Sequence, residues 1–291
     1  MAIMQQRPPH STLEPETDSL IEQDVRVHAL KAALKYQMMS QQEVSPHDTP
    51  HRSTIYQDVQ QLNPVYWLNS TTSTNDAART IDSPAALVLS NHQQAGRGQA
   101  GRIWHSPEGN LYLSLLWTLG QPVSGRLALE VALSLLNMPL LSQCPDLQVK
   151  WPNDLYFKGA KWGGILIEPC SEQRVVIGVG LNLKPMQALV TDQCVSDLST
   201  MTGHTLDQVE LAIQVTLALL QACQHFEQGS PYLPDRFARF DALLNQQVII
   251  HQPALADIEG AARGIQTDGA LLLDTASGQK IIYSGQVRPV I

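Results

Sequence analysis

The stretch Asn91-His92-Gln93-Gln94-Ala95-Gly96-Arg97-Gly98-Gln99-Ala100-Gly101-Arg102-Ile103-Trp104 holds three glycines, two arginines and a closing aromatic. An apolar run at 85–89 precedes it and an alternating strand pattern at 111–117 follows. Glycines let a backbone approach a ligand closely, and successive amides in such a loop form an anion-binding concavity. Arginine adds a permanently charged planar fork for carboxylate or phosphate. The stretch therefore reads as a strand-to-strand loop that closes over something anionic. Gly96-x-Gly98-x-x-Gly101 also fits the dinucleotide-binding fingerprint, but that motif must open a helix. Here the chain continues through His105-Ser106-Pro107-Glu108-Gly109-Asn110 into a strand. The position about 20 residues on, where that motif wants an acid, falls near Gln121.

Outward from the loop, the pattern is that of a mixed α and β domain. Towards the N-terminus, 64–68 begins a core-like pattern. Ser70-Thr71-Thr72-Ser73-Thr74-Asn75-Asp76 then leads into a helix. Its hydroxyls and Asn75 suit helix capping and equally suit a polar ligand at a helix start. Towards the C-terminus, 127–136 reads as a buried helix closed by Pro139, and 147–151 as a strand stopped by Pro152-Asn153-Asp154. Two further strands, 161–168 and 175–182, carry glycines that suit close approach by another group. Thr205-x-x-Gln208 resembles a capping box opening a long amphipathic helix over 207–228. A shorter helical turn follows near 231–241. From 247 the pattern changes to short strands at 248–251, 261–265, 270–273 and 281–284, with turn signals between them, as in a small barrel.

Composition bounds the function. The 291 residues are 43% hydrophobic and 16% charged, as in a soluble globular chain, and the formal net charge is −8. That balance argues against a general nucleic-acid surface. The four cysteines, Cys144, Cys170, Cys194 and Cys223, lie too far apart for zinc-ligand spacing or a disulfide framework, and the nine histidines form no metal-binding pair. No metal ligand is assigned. The N-terminus shows no signal segment, and no run is long enough to span a bilayer; a cytoplasmic location is the expectation. Residues 1–62 are rich in Gln, Ser, Thr, Pro and His. They read as a poorly structured or partly helical arm, with a polar helix near 19–39 around Leu20, Val25, Ala29, Leu30, Ala33 and Leu34, and a linker near 45–53.

Five motifs in one order carry a resemblance. Ser73-Thr74-Asn75, the 93–104 loop, Lys150-Trp151-Pro152-Asn153-Asp154, Lys161 followed by Gly163-Gly164-Ile165-Leu166, and Gly178-Val179-Gly180-Leu181-Asn182 resemble bacterial biotin protein ligase over residues 65–291. The resemblance implies an α+β fold with a central mixed or antiparallel sheet flanked by helices, like the class II synthetases, and a C-terminal SH3-like small β-barrel. The expected division is an arm at 1–62, a catalytic domain at 63–244 and the barrel at 245–291. The implied activity joins biotin to ATP as biotinyl-5'-AMP and passes it to a lysine of the biotin carboxyl carrier protein of acetyl-CoA carboxylase, with Mg2+ assisting. Lipoate ligation, or a biotin-responsive repressor that keeps the pocket as a sensor, are the alternatives. Relatives pair through the central sheet, which makes a homodimer an open expectation.

Carried over residue by residue, the resemblance makes Arg97, Lys161, Lys150 and Asp154 the catalytic candidates. Asp154 would orient the carrier amine or accept its proton. Ser73, Thr74, Asn75, Gln93, Arg97, Gly98, Gln99 and Lys161 are expected at biotin, with Gly163, Gly164 and Gly180 leaving room for its ring and the adenylate. Gly96, Arg97, Arg102, Trp104, Asn153 and Asn182 are expected at ATP. Trp104 would stack on adenine or else be ordinary core, and Asn153 and Asn182, with Asp154, would orient phosphate or Mg2+. The chain departs from the family at Gln99 and Ala100, where the family has an arginine and a variable residue, and at Gln286, where it commonly has Glu. Arg288 sits two residues early for the family's last arginine and is left unassigned. Residues 53–62 faintly resemble the end of a DNA-recognition helix, but no wing follows and few lysines or arginines are present for phosphate contacts. Specific DNA binding is not expected.

Overall fold

The computed structural model describes residues 17–42, 50–185 and 194–290. Those parts of the N-terminal arm and its linker at 1–16 and 43–49 lie outside the described residues. Two helices, α1 (Thr17–Gln42) and α2 (Pro50–Gln61), lead into β1 (Val65–Leu68) and the short α3 (Thr74–Arg79). Then come β2 (Ala86–Ser90), β3 (Leu111–Thr118), α4 (Arg126–Leu136), β4 (Leu147–Lys150), β5 (Asp154–Phe157), β6 (Ala160–Pro169) and β7 (Arg174–Leu181). Helices α5 (Leu198–Thr202), α6 (Gln208–Glu227) and α7 (Leu233–Ala238) precede β8 (Gln247–His251), β9 (Ile258–Ile265), β10 (Leu271–Thr275), β11 (Gly278–Ile282) and β12 (Gln286–Pro289).

The first seven strands form one sheet in the order β1-β2-β3-β7-β6-β5-β4. Only β1 and β2 run parallel; every other pair is antiparallel, so the sheet is mixed, as expected. Strands β3 and β7 sit at its centre and are apolar on both faces, with Leu111, Leu113, Leu115, Val175 and Ile177 fully buried. A strand covered on both sides loses the alternating pattern for this reason. Helices α4 and α6 pack together over one face, each with a run of buried aliphatic residues. The last five strands form the antiparallel sheet β11-β10-β9-β8-β12 of the SH3-like barrel.

Three local readings change. The cap of α6 is Asp207, whose carboxylate accepts from the Glu210 amide at 2.9 Å, so the Thr205 capping box is not the one used. Strand β5 had no place in the sequence pattern. It makes a hairpin with β6 through Lys158 (φ 48°) and Gly159 (φ 78°), a left-handed pair in which lysine gives no turn signal. Strand β12 was likewise unforeseen. In the N-terminal segment, Leu30, Leu34, Val59 and Leu62 are buried in the main core, while Val25 is exposed. Arg26 lies over the Trp67 ring and donates to Asn91 Oδ1 at 3.2 Å, and Gln224 donates to Asp58 at 2.8 Å. Among the described residues no helix is long and apolar enough to cross a membrane.

Candidate active site

The 91–104 stretch forms a small hairpin rather than a slack loop. Arg97 faces Ile103 in an antiparallel bridge, the Gly98 amide donates to Arg102 O at 2.7 Å, and Ala100 and Gly101 turn the tip with positive φ. At its base, the Trp104 amide donates to Gly96 O at 2.9 Å. A Cβ on Gly96 would lie 2.5 Å from both Trp104 O and Ser106 Oγ, so only glycine lets the two arms cross there.

Beneath the hairpin lies a cavity of about 440 Å3, within the ~300–1,000 Å3 range of small-molecule sites. Its wall brings together Ser73, Thr74, Asn75, Gln93, Arg97, Gly98, Gln99, Arg102, Trp104, Asn153, Asp154, Lys161, Gly164, Gly180 and Asn182. Gly96, Lys150 and Gly163, also expected in the site, are not on that wall. The space a Cβ of Gly163 would need is filled by Leu181 at 2.7 Å and Leu155 at 3.1 Å, so this glycine serves strand packing. The Lys150 ammonium sits 5.5 Å over the Tyr156 ring, and burial pushes its pKa down despite the opposing pull of Asp154.

One end of the cavity is a buried polar network. Ser73 precedes α3 but makes no side-chain capping bond, which leaves its hydroxyl to the cavity rather than to the helix. The Thr74 amide donates to Gln93 Oε1 at 2.8 Å and the Thr74 hydroxyl donates to the same oxygen at 3.1 Å. Gln93 Nε2 in turn donates to Ser106 Oγ at 2.9 Å. From β3, Ser114 Oγ reaches Thr74 Oγ1 at 2.7 Å and Asn75 Oδ1 at 2.6 Å. Asn75 Nδ2 donates to Glu168 Oε2 at 2.7 Å. The amide lies so close to β7 that a Cβ on Gly178 would meet its oxygen at 2.2 Å. Buried polar groups this fully connected are held in single rotamers.

The other end is cationic. Lys161 donates to Asp154 Oδ1 at 2.6 Å, and its ammonium stands 5.1 Å over the Trp104 ring. The pairing of β5 and β6 shifts by one residue between Leu155 and Tyr156, a bulge at Trp162. That bulge turns Lys161 onto the same face as Gly164; a Cβ on Gly164 would sit 3.5 Å from Lys161 Cε. The room expected at Gly164 and Gly180 is taken by the Trp104 indole, which a Cβ on Gly180 would meet at 2.7 Å. The indole nitrogen is buried without a hydrogen-bond partner. Asn153 and Asn182 use their amide nitrogens on main-chain oxygens, Asn153 on Ile165 O at 2.6 Å and Asn182 on Ser196 O at 3.1 Å. Both therefore brace the walls of the cavity.

Arg97, also on the cavity wall, is engaged by carboxylates. Its guanidinium grips Asp76 in a two-pronged pair at 2.5 and 2.7 Å, with Glu168 at 3.4 Å. The hydrogen bond from Arg97 holds the Asp76 carboxyl below its usual pKa range, and the same pair raises the pKa of Arg97.

Sequence reasoning missed Ser106, Ser114, Glu168, Asp76 and Gly178, and left Arg288 and Gln286 of β12 unassigned although both line the cavity. Ser114 had a signal: it is the one polar residue in the run 111–117. Glu168, at the end of an apolar strand, had a fainter one. The others depend on contacts between distant segments. Among the described residues no three His, Cys, Asp or Glu side chains cluster as a metal cage. A magnesium ion fits this donor set only as the companion of a triphosphate, with at most one carboxylate from the protein.

The Biotin/lipoate A/B protein ligase family model matches residues 67–182, and the Biotin protein ligase C terminal domain model matches 243–287. Over 212 residues the chain is 37% identical to the bifunctional ligase/repressor BirA of Salmonella typhimurium, covering 68% of this chain and 65% of that protein. It is 32% identical over 237 residues to the biotin–[acetyl-CoA-carboxylase] ligase of Paracoccus denitrificans, covering 76% of this chain and 98% of that one. A solved structure of biotin protein ligase from Aquifex aeolicus in complex with biotin and ATP superposes with a TM-score of 0.69 at 25% identity, over 79% of this chain and 100% of that one. On these matches, which run through the glycine hairpin, the sheet beneath it and the terminal barrel, the chain belongs to the biotin/lipoate A/B protein ligase family.

Proposed function

We propose that this protein is a cytoplasmic, ATP-dependent biotin protein ligase acting on the biotin carboxyl carrier protein of acetyl-CoA carboxylase. In the first step a carboxylate oxygen of biotin attacks the α-phosphorus of ATP. The bond from that phosphorus to the bridging oxygen of pyrophosphate breaks, leaving biotinyl-5'-AMP. In the second step a neutral lysine amine of the carrier attacks the acyl carbon, the bond to AMP breaks, and AMP leaves with the electron pair. The amine loses its extra proton to solvent or a base.

The observation that carries this reading is one cavity with two unlike ends. The Ser73–Asn75–Gln93 network offers donors and acceptors to a small polar head group such as a ureido ring. The Lys161, Arg102 and Arg288 end offers positive charge where carboxylate and phosphate must be brought together. Two unit charges in contact repel by roughly 1–4 kcal/mol, depending on the dielectric, and fixed cations offset that and the charge that builds on the phosphoryl oxygens. Asp154 aims Lys161 at this point. Mg2+ would come with the triphosphate and supply further charge neutralisation. The Trp104 ring lines the cavity beside the Lys161 ammonium, and in this reading adenine stacks on it.

A lipoate ligase would share the fold, and titration of the protein with biotin and with lipoate separates the two. A repressor role has little support in α2, where Arg52 is the one Lys or Arg and β1 begins four residues after the helix ends. The test is to supply ATP, biotin, magnesium and a carrier domain, then follow pyrophosphate release and avidin-reactive carrier. Both should appear together. A protein that releases no biotin-dependent pyrophosphate would overturn the reading.

A further inference from the structure

The hydrogen bonds of the glycine hairpin are lopsided. Within residues 97–103, the main-chain bonds and the bond from Arg102 Nε to Gln99 O all stay inside the hairpin. Ile103 is 77% exposed and contributes little packing. Among the described residues, the polar ties from this segment to the body of the protein all come from the Arg97 side chain. It bonds two carboxylates on different elements: Asp76 on the first turn of α3 and Glu168 on β6. Arg79 also approaches Glu168, at 3.6 Å, so two cations face two anions and the cluster is balanced. A guanidinium so engaged brings little free charge to a phosphate.

We propose that Arg97 is a positioning residue, and that its grip on Asp76 and Glu168 latches the glycine hairpin over the cavity while Lys161 carries the phosphoryl charge. A two-pronged arginine–carboxylate pair has the directionality for such a task. Closing the hairpin before ligand arrives reduces the ordering that binding must otherwise supply. The latch also couples the hairpin to the polar network, because Glu168 accepts from Asn75 as well as from Arg97. The inference rests on the ligase reading for its kinetic consequences but not for the latch itself.

The test compares Arg97→Met, Asp76→Asn, the double variant and Asp76→Glu. Tryptic cleavage after Arg102 is followed in the ligand-free protein, and kcat and KM for biotin are measured by pyrophosphate release. Each single variant should raise both the cleavage rate and KM about tenfold with kcat kept within about threefold. The double variant should be no worse than either single one, and Asp76→Glu, which keeps the carboxylate, should recover most of the loss. The proposal is overturned if Arg97→Met lowers kcat a hundredfold while Asp76→Asn leaves cleavage and KM at wild-type values. Should the wild-type protein release no pyrophosphate, the ligase reading fails and the cleavage arm decides alone. Faster cleavage in Asp76→Asn then supports the latch, and unchanged cleavage overturns it.

Discussion

Replacing Gly178 by alanine tests whether the polar end of the cavity is set by the central sheet. The new methyl carbon would lie 2.2 Å from Asn75 Oδ1 and 2.9 Å from Asn75 Cγ. Strand β7 cannot move aside, since β3 and β6 flank it through eight and seven paired positions. Asn75 must therefore leave, and it is only 4% exposed. Its departure breaks the bonds to Ser114 and to the Glu168 carboxylate. Overpacking a core costs ~1–3 kcal/mol, and a hydrogen bond to a charged group is worth ~1.5–3 kcal/mol. Relaxation of the α3 turn offsets part of the sum, leaving a net loss of about 3 kcal/mol, or roughly 6–12 °C in Tm for a domain of this size. Biotin affinity should fall about 10- to 100-fold, or ~1.4–2.8 kcal/mol. Gly125→Ala, away from the cavity wall, is the control, because its methyl would meet nothing within 4 Å. Calorimetric unfolding and isothermal titration read both quantities. A Gly178→Ala protein that melts within about 1 °C of wild type and binds biotin normally would refute the reasoning.

Lys161→Met removes the cation from the phosphoryl end and leaves Asp154 without its partner. Pyrophosphate release should drop at least ~100-fold, and a loss under fivefold would move the catalytic charge elsewhere. Burial pushes the Asp241 carboxyl up to about 6 from 3.8. The folded state thus holds its proton more tightly than the unfolded one, and stability is lost as pH rises from 3.8 through 6. Asp241→Asn should then be more stable than wild type above that window, by up to ~3 kcal/mol, with the gain fading as pH falls through it; a pH-independent difference in urea unfolding would contradict this. Glu130 is fully buried on α4 and is held by Arg236, so Arg236→Met should cost ~3–5 kcal/mol and Glu130→Gln in the same chain should restore part. A loss below about 1 kcal/mol in denaturant titration would show that the pair is solvated. Gln99→Arg places a further cation on the cavity wall and should slow biotinyl-5'-AMP release about 5- to 10-fold, worth ~1–1.4 kcal/mol; equal release rates from the two proteins would end that idea.

The sheet was legible because burial writes itself into strands. The run 111–117, read as alternating, is instead buried throughout, as is 175–179, and a strand covered on both faces takes apolar residues on each. What stayed hidden was local geometry with no compositional mark. The β5–β6 hairpin turns on Lys158 in a left-handed conformation, which tertiary pairing enforces and lysine does not advertise. The α6 cap moved from Thr205 to Asp207, two residues inside the motif, because a carboxylate there also reaches the third amide. Leu30 and Leu34 stand four apart on a polar helix, too small an apolar stripe to signal that they enter the main core.

The site divides along the same line. Residues that reach the cavity wall through one motif, such as Ser73, Gln93 and Lys161, could be named from the motif alone. Residues whose role depends on another segment could not, and this is why the glycines were read too simply. Four glycines of β6 and β7 make room for three different groups: Gly163 for Leu181, Gly178 for Asn75, and Gly164 and Gly180 both for Trp104. The sequence marks where a side chain is forbidden, and the fold decides what fills the gap. The same holds for charge. Of the cations lining the cavity, Arg97 is neutralised by two acids and Lys161 faces one, which leaves Arg102 of the hairpin and Arg288 of the barrel as the less engaged pair. A chain lacking arginine at position 99 therefore draws its spare positive charge from two separate structural units, and only when the barrel is seated, with Trp151 Nε1 donating to Gly269 O at 2.9 Å, do both stand at one cavity.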